Sequence, residues 1–151
     1  MKRKKQIYSW ALYDWANSAF ATTILATVLP IFYNDVAASH LSDNLATSYW
    51  GYTQTIAMII IALLSPVLGA IADYSSSKRL FLKYFALVGI TGTALLFFVN
   101  EGQFILASSF FILGSIGFSG ANVFYDSFLP IISPKGKIDY VSSLGFASGY
   151  L

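Results

Sequence analysis

Trp15-Ala-Asn-Ser-Ala-Phe-Ala-Thr-Thr-Ile-Leu-Ala-Thr-Val-Leu-Pro-Ile-Phe-Tyr-Asn34 is a run of 20 residues without a charge, bounded by Asp14 and Asp35. As a helix rising about 1.5 Å per residue it is roughly 30 Å long, the thickness of a bilayer's hydrocarbon core. The same kind of interval recurs along the chain. Asn44 to Ala72 holds 29 charge-free residues, apolar from about Trp50 onward; Tyr84 to Asn100 holds 17; Gly102 to Tyr125 holds 24. After Asp139 only 12 residues remain, Tyr140 to Leu151, enough for about 18 Å of helix. Spans are therefore expected at about 8–34, 50–72, 84–100 and 103–125, with a fifth, 140–151, cut short inside the bilayer. Residues 1–7 form a basic N-terminus and residues 8–151 a partial transmembrane bundle. The predicted class is an all-α membrane protein of four transmembrane helices plus a truncated fifth.

Composition excludes the soluble alternatives. Of 151 residues, 56% are hydrophobic and 11% charged, against roughly 25% charged in an ordinary soluble domain. The mean hydropathy is +0.65. Sixteen charged side chains cannot coat a water-soluble fold of this size. The chain has no cysteine, so a disulfide framework and a thiolate metal site are both excluded.

The basic residues set the expected orientation. Lys2, Arg3, Lys4 and Lys5 precede the first span, Lys78, Arg79 and Lys83 lie between the second and third, and Lys135 and Lys137 follow the fourth. Those are all nine Lys and Arg residues, while Asp35, His40, Asp43 and Glu101 occupy the other connections. The positive-inside rule then puts the N-terminus in the cytoplasm of a multi-pass protein of the cytoplasmic membrane. Two competing readings of Lys2 to Lys5 are weaker. A signal peptide has a shorter apolar segment and is not followed by more spans. A nucleic-acid site would interleave aromatic residues with the basic ones, and the run has none. The bilayer, and no nucleic acid, is the expected partner.

Polar residues inside the spans carry the functional reading, because polar groups are costly in hydrocarbon and mark either packing contacts or pathways. In the first span Asp14, Asn17, Ser18, Ala21 and Thr22 stand at i, i+3, i+4, i+7 and i+8, one helical face. An unpaired carboxylate at the depth of Asp14 needs a partner or a proton, so Asp14 is either a proton carrier or a packing residue at a helix end. In the fourth span Ser115, Ser119, Asn122 and Asp126 stand at i, i+4, i+7 and i+11. A second face of that span, Gly114, Gly117 and Ala121, is small enough to admit a neighbouring helix. Since Asp14 opens the first helix and Asp126 closes the fourth on the same side, Asp14, Asn17, Asn122 and Asp126 are expected to face one water-accessible cavity. Pro30 and Ser65-Pro66 remove backbone hydrogen bonds and are expected to bend their helices.

Several chemistries have no signature. The single histidine, His40, lies in a connection, and no zinc-protease helix occurs. Gly117-Phe-Ser-Gly-Ala121 misses the nucleophile-elbow pattern at its last glycine. There is no phosphate-binding glycine loop ending in Gly-Lys-Ser/Thr. An enzyme, a catalytic residue, a metal and a cofactor are all unexpected.

Gly69-Ala-Ile-Ala-Asp73-Tyr-Ser-Ser-Ser-Lys78-Arg79 resembles the major facilitator superfamily signature between its second and third helices. Gly69, Asp73, Lys78 and Arg79 match in spacing, while Tyr74 replaces a basic residue and Ser76 a glycine. Serine resists the left-handed turn that glycine accepts, so the turn geometry is left open. Tyr13-Asp-Trp-Ala-Asn-Ser-Ala-Phe20, Asn122-Val-Phe-Tyr-Asp-Ser-Phe-Leu-Pro130 and Val141-Ser-Ser-Leu-Gly-Phe-Ala-Ser-Gly-Tyr-Leu151 are similar to the vacuolar amino-acid effluxer-like branch of that superfamily. The resemblance implies twelve helices in two six-helix bundles, of which this chain is the first part. It also implies a central cavity lined by the first and fourth helices, and a cytoplasmic gate at Gly69, Asp73, Lys78 and Arg79. The expected function is secondary active transport by alternating access of a small polar solute, an amino acid by resemblance, with Asp14, Asn17, Ser18, Thr22, Ser115, Ser119, Asn122 and Asp126 as candidates for contact with substrate or proton. The expected partners are that solute, a proton and the missing C-terminal half. The alternatives are a complete four-helix antiporter of the small multidrug type, against which the one-sided basic residues argue, and a non-transporting membrane scaffold.

Overall fold

A computed structural model describes residues 2–150, with side chains from Lys4 to Tyr150. The α-helices are α1 (Lys2–Ala19), α2 (Leu29–Phe32), α3 (Asp43–Tyr74), α4 (Lys78–Leu95), α5 (Phe104–Asp126), α6 (Leu129–Ile132) and α7 (Ile138–Gly149), with no strand among the described residues. Four continuous helical stretches are long and apolar enough to cross a membrane: Lys4–Ala37, Asp43–Tyr74, Lys78–Phe98 and Phe104–Ile132. They are the first to fourth spans, and the all-helical expectation holds.

The helices overrun the apolar windows because main-chain hydrogen bonding does not stop where hydrophobicity does. α3 has 32 residues, about 48 Å of helix, so it projects beyond a hydrocarbon core of about 30 Å. Pro66 lies inside α3, which runs on through it. Pro66 has no N–H to offer the previous turn, while the adjacent Ser65 hydroxyl donates to Ile61 O at 2.7 Å.

The first span departs from α geometry. Phe20–Val28 and Tyr33–Ala37 are π-helical, on either side of α2. The Leu29 N–H reaches back five residues to Ile24 O, and the Thr27 hydroxyl likewise donates to Thr22 O at 2.9 Å. β-branched residues crowd this stretch, and Pro30 at its end breaks the regular ladder. Extended π segments are rare, and the short ones known cluster at functional sites.

Packing is built on two contrasting seams. α4 and α5 make the most extensive contact, and α3 covers another side of α5. Gly89 and Gly92 of α4 lie against Gly114 and Gly117 of α5: a Cβ at Gly92 would come 2.8 Å from Gly114 Cα, and one at Gly117 would collide with the backbone of Gly89. The first span lies against α7, whose Gly145 admits the Trp10 ring. Apolar side chains at the helix exteriors, including Leu63, Leu87 and Ile105, are exposed as a lipid-facing surface requires.

The core has two clusters. At the acidic end of the bundle Leu29, Tyr33, Trp50, Ala107 and Phe111 pack together, and at the basic end Trp10, Tyr125, Ile132 and Val141 do.

Candidate functional site

The first and fourth spans meet along antiparallel paired side chains. Near the basic end the Trp10 indole N–H donates to Tyr125 O at 3.1 Å, and the rings stack with centroids 4.5 Å apart. Tyr13 covers the same tyrosine at 5.1 Å. One turn on, Asn17 Nδ2 donates to Asn122 Oδ1 at 2.7 Å, and Phe20 meets Phe118 at 4.8 Å. Near the acidic end the contact is hydroxylic. Thr53 donates to Tyr49 O at 2.8 Å, its oxygen accepts from Ser108 at 2.7 Å, and Ser108 accepts from Tyr33 at 2.9 Å. With one proton per hydroxyl, that order satisfies all three groups.

Beside this seam runs a cleft of about 580 Å³ between the first, third and fourth spans. Its walls include Asn17, Phe20 and Ile24 of the first span, Gly89 and Thr93 of the third, and Phe118 of the fourth. The contribution of the third span is absent from the sequence reading, since Gly89 and Thr93 lie in a run with no polar stripe. The only signal was the pair of small residues Gly89 and Gly92 three positions apart.

The residues singled out by spacing do not share one environment. Asn17 lines the cleft and Asn122 holds it. Asp14 and Ser18 are half-buried and point to α7, where a Cβ at Gly149 would come within 2.9 Å of Asp14 Oδ2 and 2.7 Å of Ser18 Oγ. Gly145 and Gly149, four apart, are thus the small face that receives α1, a spacing present in the sequence and unread there. Thr22 is exposed and returns its hydroxyl to Ser18 O at 3.0 Å. It follows the start of the π turns, where the i, i+4 rule no longer tracks one face. Ser115 is 4% exposed, and its hydroxyl has no partner among the described residues. Ser119 is half-buried and Asp126 exposed at the end of α5. Neither Asp14 nor Asp126 is among the described residues that line the cleft.

The loop motif is placed at the basic end. Asp73 is exposed in the last turn of α3, and Lys78 and Arg79 open α4. Open space surrounds the position of a Cβ at Gly69, so no helix among the described residues uses that glycine for close approach. The turn is made without a left-handed residue. Ser75 is extended at φ −81° and ψ 133°, its hydroxyl accepts from Ser77 N–H at 3.0 Å, and among the described residues positive φ occurs only at Gly102 and Gly136. Serine at position 76 therefore costs no backbone strain.

The family described as "Vacuole effluxer Atg22 like" matches residues 41–148. The chain belongs to the Atg22-like effluxer family. Along its whole length it is 45% identical to the uncharacterized MFS-type transporter YxiO of Bacillus subtilis, covering 36% of that protein. It is also 31% identical to autophagy-related protein 22-1 of Aspergillus niger, over 85% of this chain and 30% of that one. Autophagy-related protein 22 of Coccidioides immitis is 24% identical over 85% of this chain and 28% of its own. The chain thus spans about a third of the length of the curated relatives it matches. No solved structure matches it significantly. Membership and the four spans together make this a multi-pass membrane protein of the Atg22-like family. The family match begins at residue 41 and so leaves out Tyr13 to Phe20, the first-span string similar to that branch.

Proposed function

We propose that this chain is the N-terminal part of a secondary active transporter of the cytoplasmic membrane that moves a small polar solute, an amino acid in our reading, by alternating access. The observation that carries the reading is the Asn17–Asn122 hydrogen bond. It joins the polar faces of the first and fourth spans beside a cleft, with π turns beginning three residues on from Asn17. Amide side chains can exchange one partner for another at little cost, which suits a contact that must open around a solute. Asp14, held with Ser18 against Gly149, is the proton-carrying group in this proposal, and Asp73, Lys78 and Arg79 form the cytoplasmic gate. The YxiO and Atg22 relatives support a transporter of this general kind.

The test is solute uptake by the complete protein in liposomes, with a panel of labelled amino acids and an imposed pH gradient. Uptake should depend on the gradient, lose that dependence in Asp14→Asn, and fall by at least about tenfold in Asn17→Ala. A folded protein that moves none of the panel under any gradient sinks the amino-acid reading. Gradient-dependent uptake that survives in Asp14→Asn sinks the role of Asp14.

A further inference from the structure

A second pocket, of about 390 Å³, lies at the basic end of the seam between the first and fourth spans, beyond the Asn17–Asn122 pair. It is bounded by the start of α1 (Lys5, Ser9, Trp10), the start of α4 (Arg79), the end of α5 (Tyr125) and Phe128. Its charged lining residues, among those described, are both cations, and they come from segments more than 70 positions apart in sequence. The aromatic floor is fixed, because Trp10 is committed to Tyr125 O and stacked on its ring. The pocket thus offers a guanidinium, an ammonium and the Ser9 hydroxyl.

That donor set matches a phosphate. Arginine presents parallel N–H groups to phosphate oxygens, lysine adds a point charge, and a hydroxyl can donate to a further oxygen. Position selects the source. Tryptophan and tyrosine sit at headgroup level in membranes, and basic pockets between transmembrane helices on the cytoplasmic side meet anionic lipid. The apolar members of the lining, Leu82 and Ile132, suit the glycerol and upper acyl carbons better than water. We propose that this pocket binds the headgroup phosphate of an anionic phospholipid of the cytoplasmic leaflet, tying the first span to the third-span end of the loop motif. The proposal rests on the cytoplasmic placement of the basic end and does not depend on transport.

The experiment is native mass spectrometry and thermal unfolding of the complete protein in detergent, titrated with phosphatidylglycerol, phosphatidylcholine or inorganic phosphate. Phosphatidylglycerol should bind and raise the unfolding midpoint, and phosphatidylcholine should do neither. Lys5→Gln and Arg79→Gln should each weaken binding by about fivefold. Lys137→Gln, on the same basic end but outside the pocket lining, should leave binding unchanged. If Arg79→Gln fails to fold, Lys5→Gln still decides the matter. Equal binding of both lipids, or full affinity in Lys5→Gln, overturns the proposal. Stabilisation by inorganic phosphate matching that by the lipid overturns the lipid and assigns a soluble anion. Thiol labelling of Ser39→Cys and Ser76→Cys in intact cells separates this from a topology failure: an impermeant reagent should reach position 39 only, and the reverse pattern removes the cytoplasmic leaflet from the argument.

Discussion

The fourth span touches the third through glycine and the first through long side chains. At Gly92 and Gly117 the backbones are so close that an added Cβ has nowhere to go, and at Gly89 one would be 3.2 Å from Phe118 N. At Trp10, Asn17 and Phe20 the partners are rings and an amide, with a cleft beside them. Membrane helices associate through close packing and hydrogen bonds, since lipid tails give them no hydrophobic reason to meet. A glycine seam uses the first of these and is rigid, because backbones cannot re-choose partners. A side-chain seam uses the second and can re-form in another arrangement. The third and fourth spans therefore read as one body, and the first span as the element able to shift against it.

The strongest way to break this comparison is to fill the glycine seam. Gly117→Leu puts a branched side chain where even a Cβ collides with Gly89. Overpacking of a well-packed core costs about 1–3 kcal/mol, and a collision with backbone sits at or above the top of that range. The folded yield of the complete protein and its unfolding midpoint should both fall sharply. Gly51→Ala is the control, because nothing lies within 4 Å of its Cβ position. It should be neutral or stabilising by up to about 1 kcal/mol, the helix propensity difference. If Gly117→Leu folds as well as Gly51→Ala, the seam is not the rigid contact described here.

Much of this arrangement is written in the sequence, but unevenly. The charge-free intervals locate the four spans because a bilayer demands length and apolarity together, while the helix ends lie in polar segments that hydropathy does not see. On α5, which stays regular from Phe104 to Asp126, 3.6-residue spacing holds throughout, so Gly114 and Gly117 could be read as a packing face and Asn122 as part of a separate polar one. On the first span the same rule works for Asn17 and loses Thr22, because the pitch widens from Phe20 onward. Expecting Asp14 beside Asp126 in one cavity presumed that α1 faces only α5. The near side of α1 belongs instead to α7, whose Gly145 and Gly149 receive it. The third-span wall of the cleft was invisible, since glycine and threonine in an apolar run carry no directional signal.

A smaller effect is expected where the first span is pinned at its acidic end. Tyr33 is 0% exposed, and its hydroxyl depends on Ser108. Ser108→Ala leaves that hydroxyl without its acceptor, a loss of about 1–2 kcal/mol. Tyr33→Phe in the same background should restore part of it, because an absent polar group costs less than a buried orphan. Unfolding midpoints of the two single variants and the double variant measure this directly. Equal midpoints for wild type and Ser108→Ala would mean that the hydroxyl chain contributes packing only.

The smallest effect on stability, and the most informative, belongs to Asn17 and Asn122. Their hydrogen bond borders the cleft, so an amide that loses its partner can turn to water there. Interhelical hydrogen bonds of this kind couple by about 0.6 kcal/mol on average in membranes. A double-mutant cycle of Asn17→Ala and Asn122→Ala on unfolding should therefore give a coupling below about 1 kcal/mol, well under the Gly117→Leu penalty. Transport should rank the variants the other way among those that fold: each asparagine variant should lose most of its uptake, while Ser108→Ala keeps most of it. That inversion is what a movable seam beside a rigid one predicts, because a contact that exchanges during a cycle contributes little to the resting state and much to the passage between states. If the asparagine variants lose stability and uptake in proportion, the first span is fixed to the fourth as firmly as the third is, and the distinction between the two seams disappears.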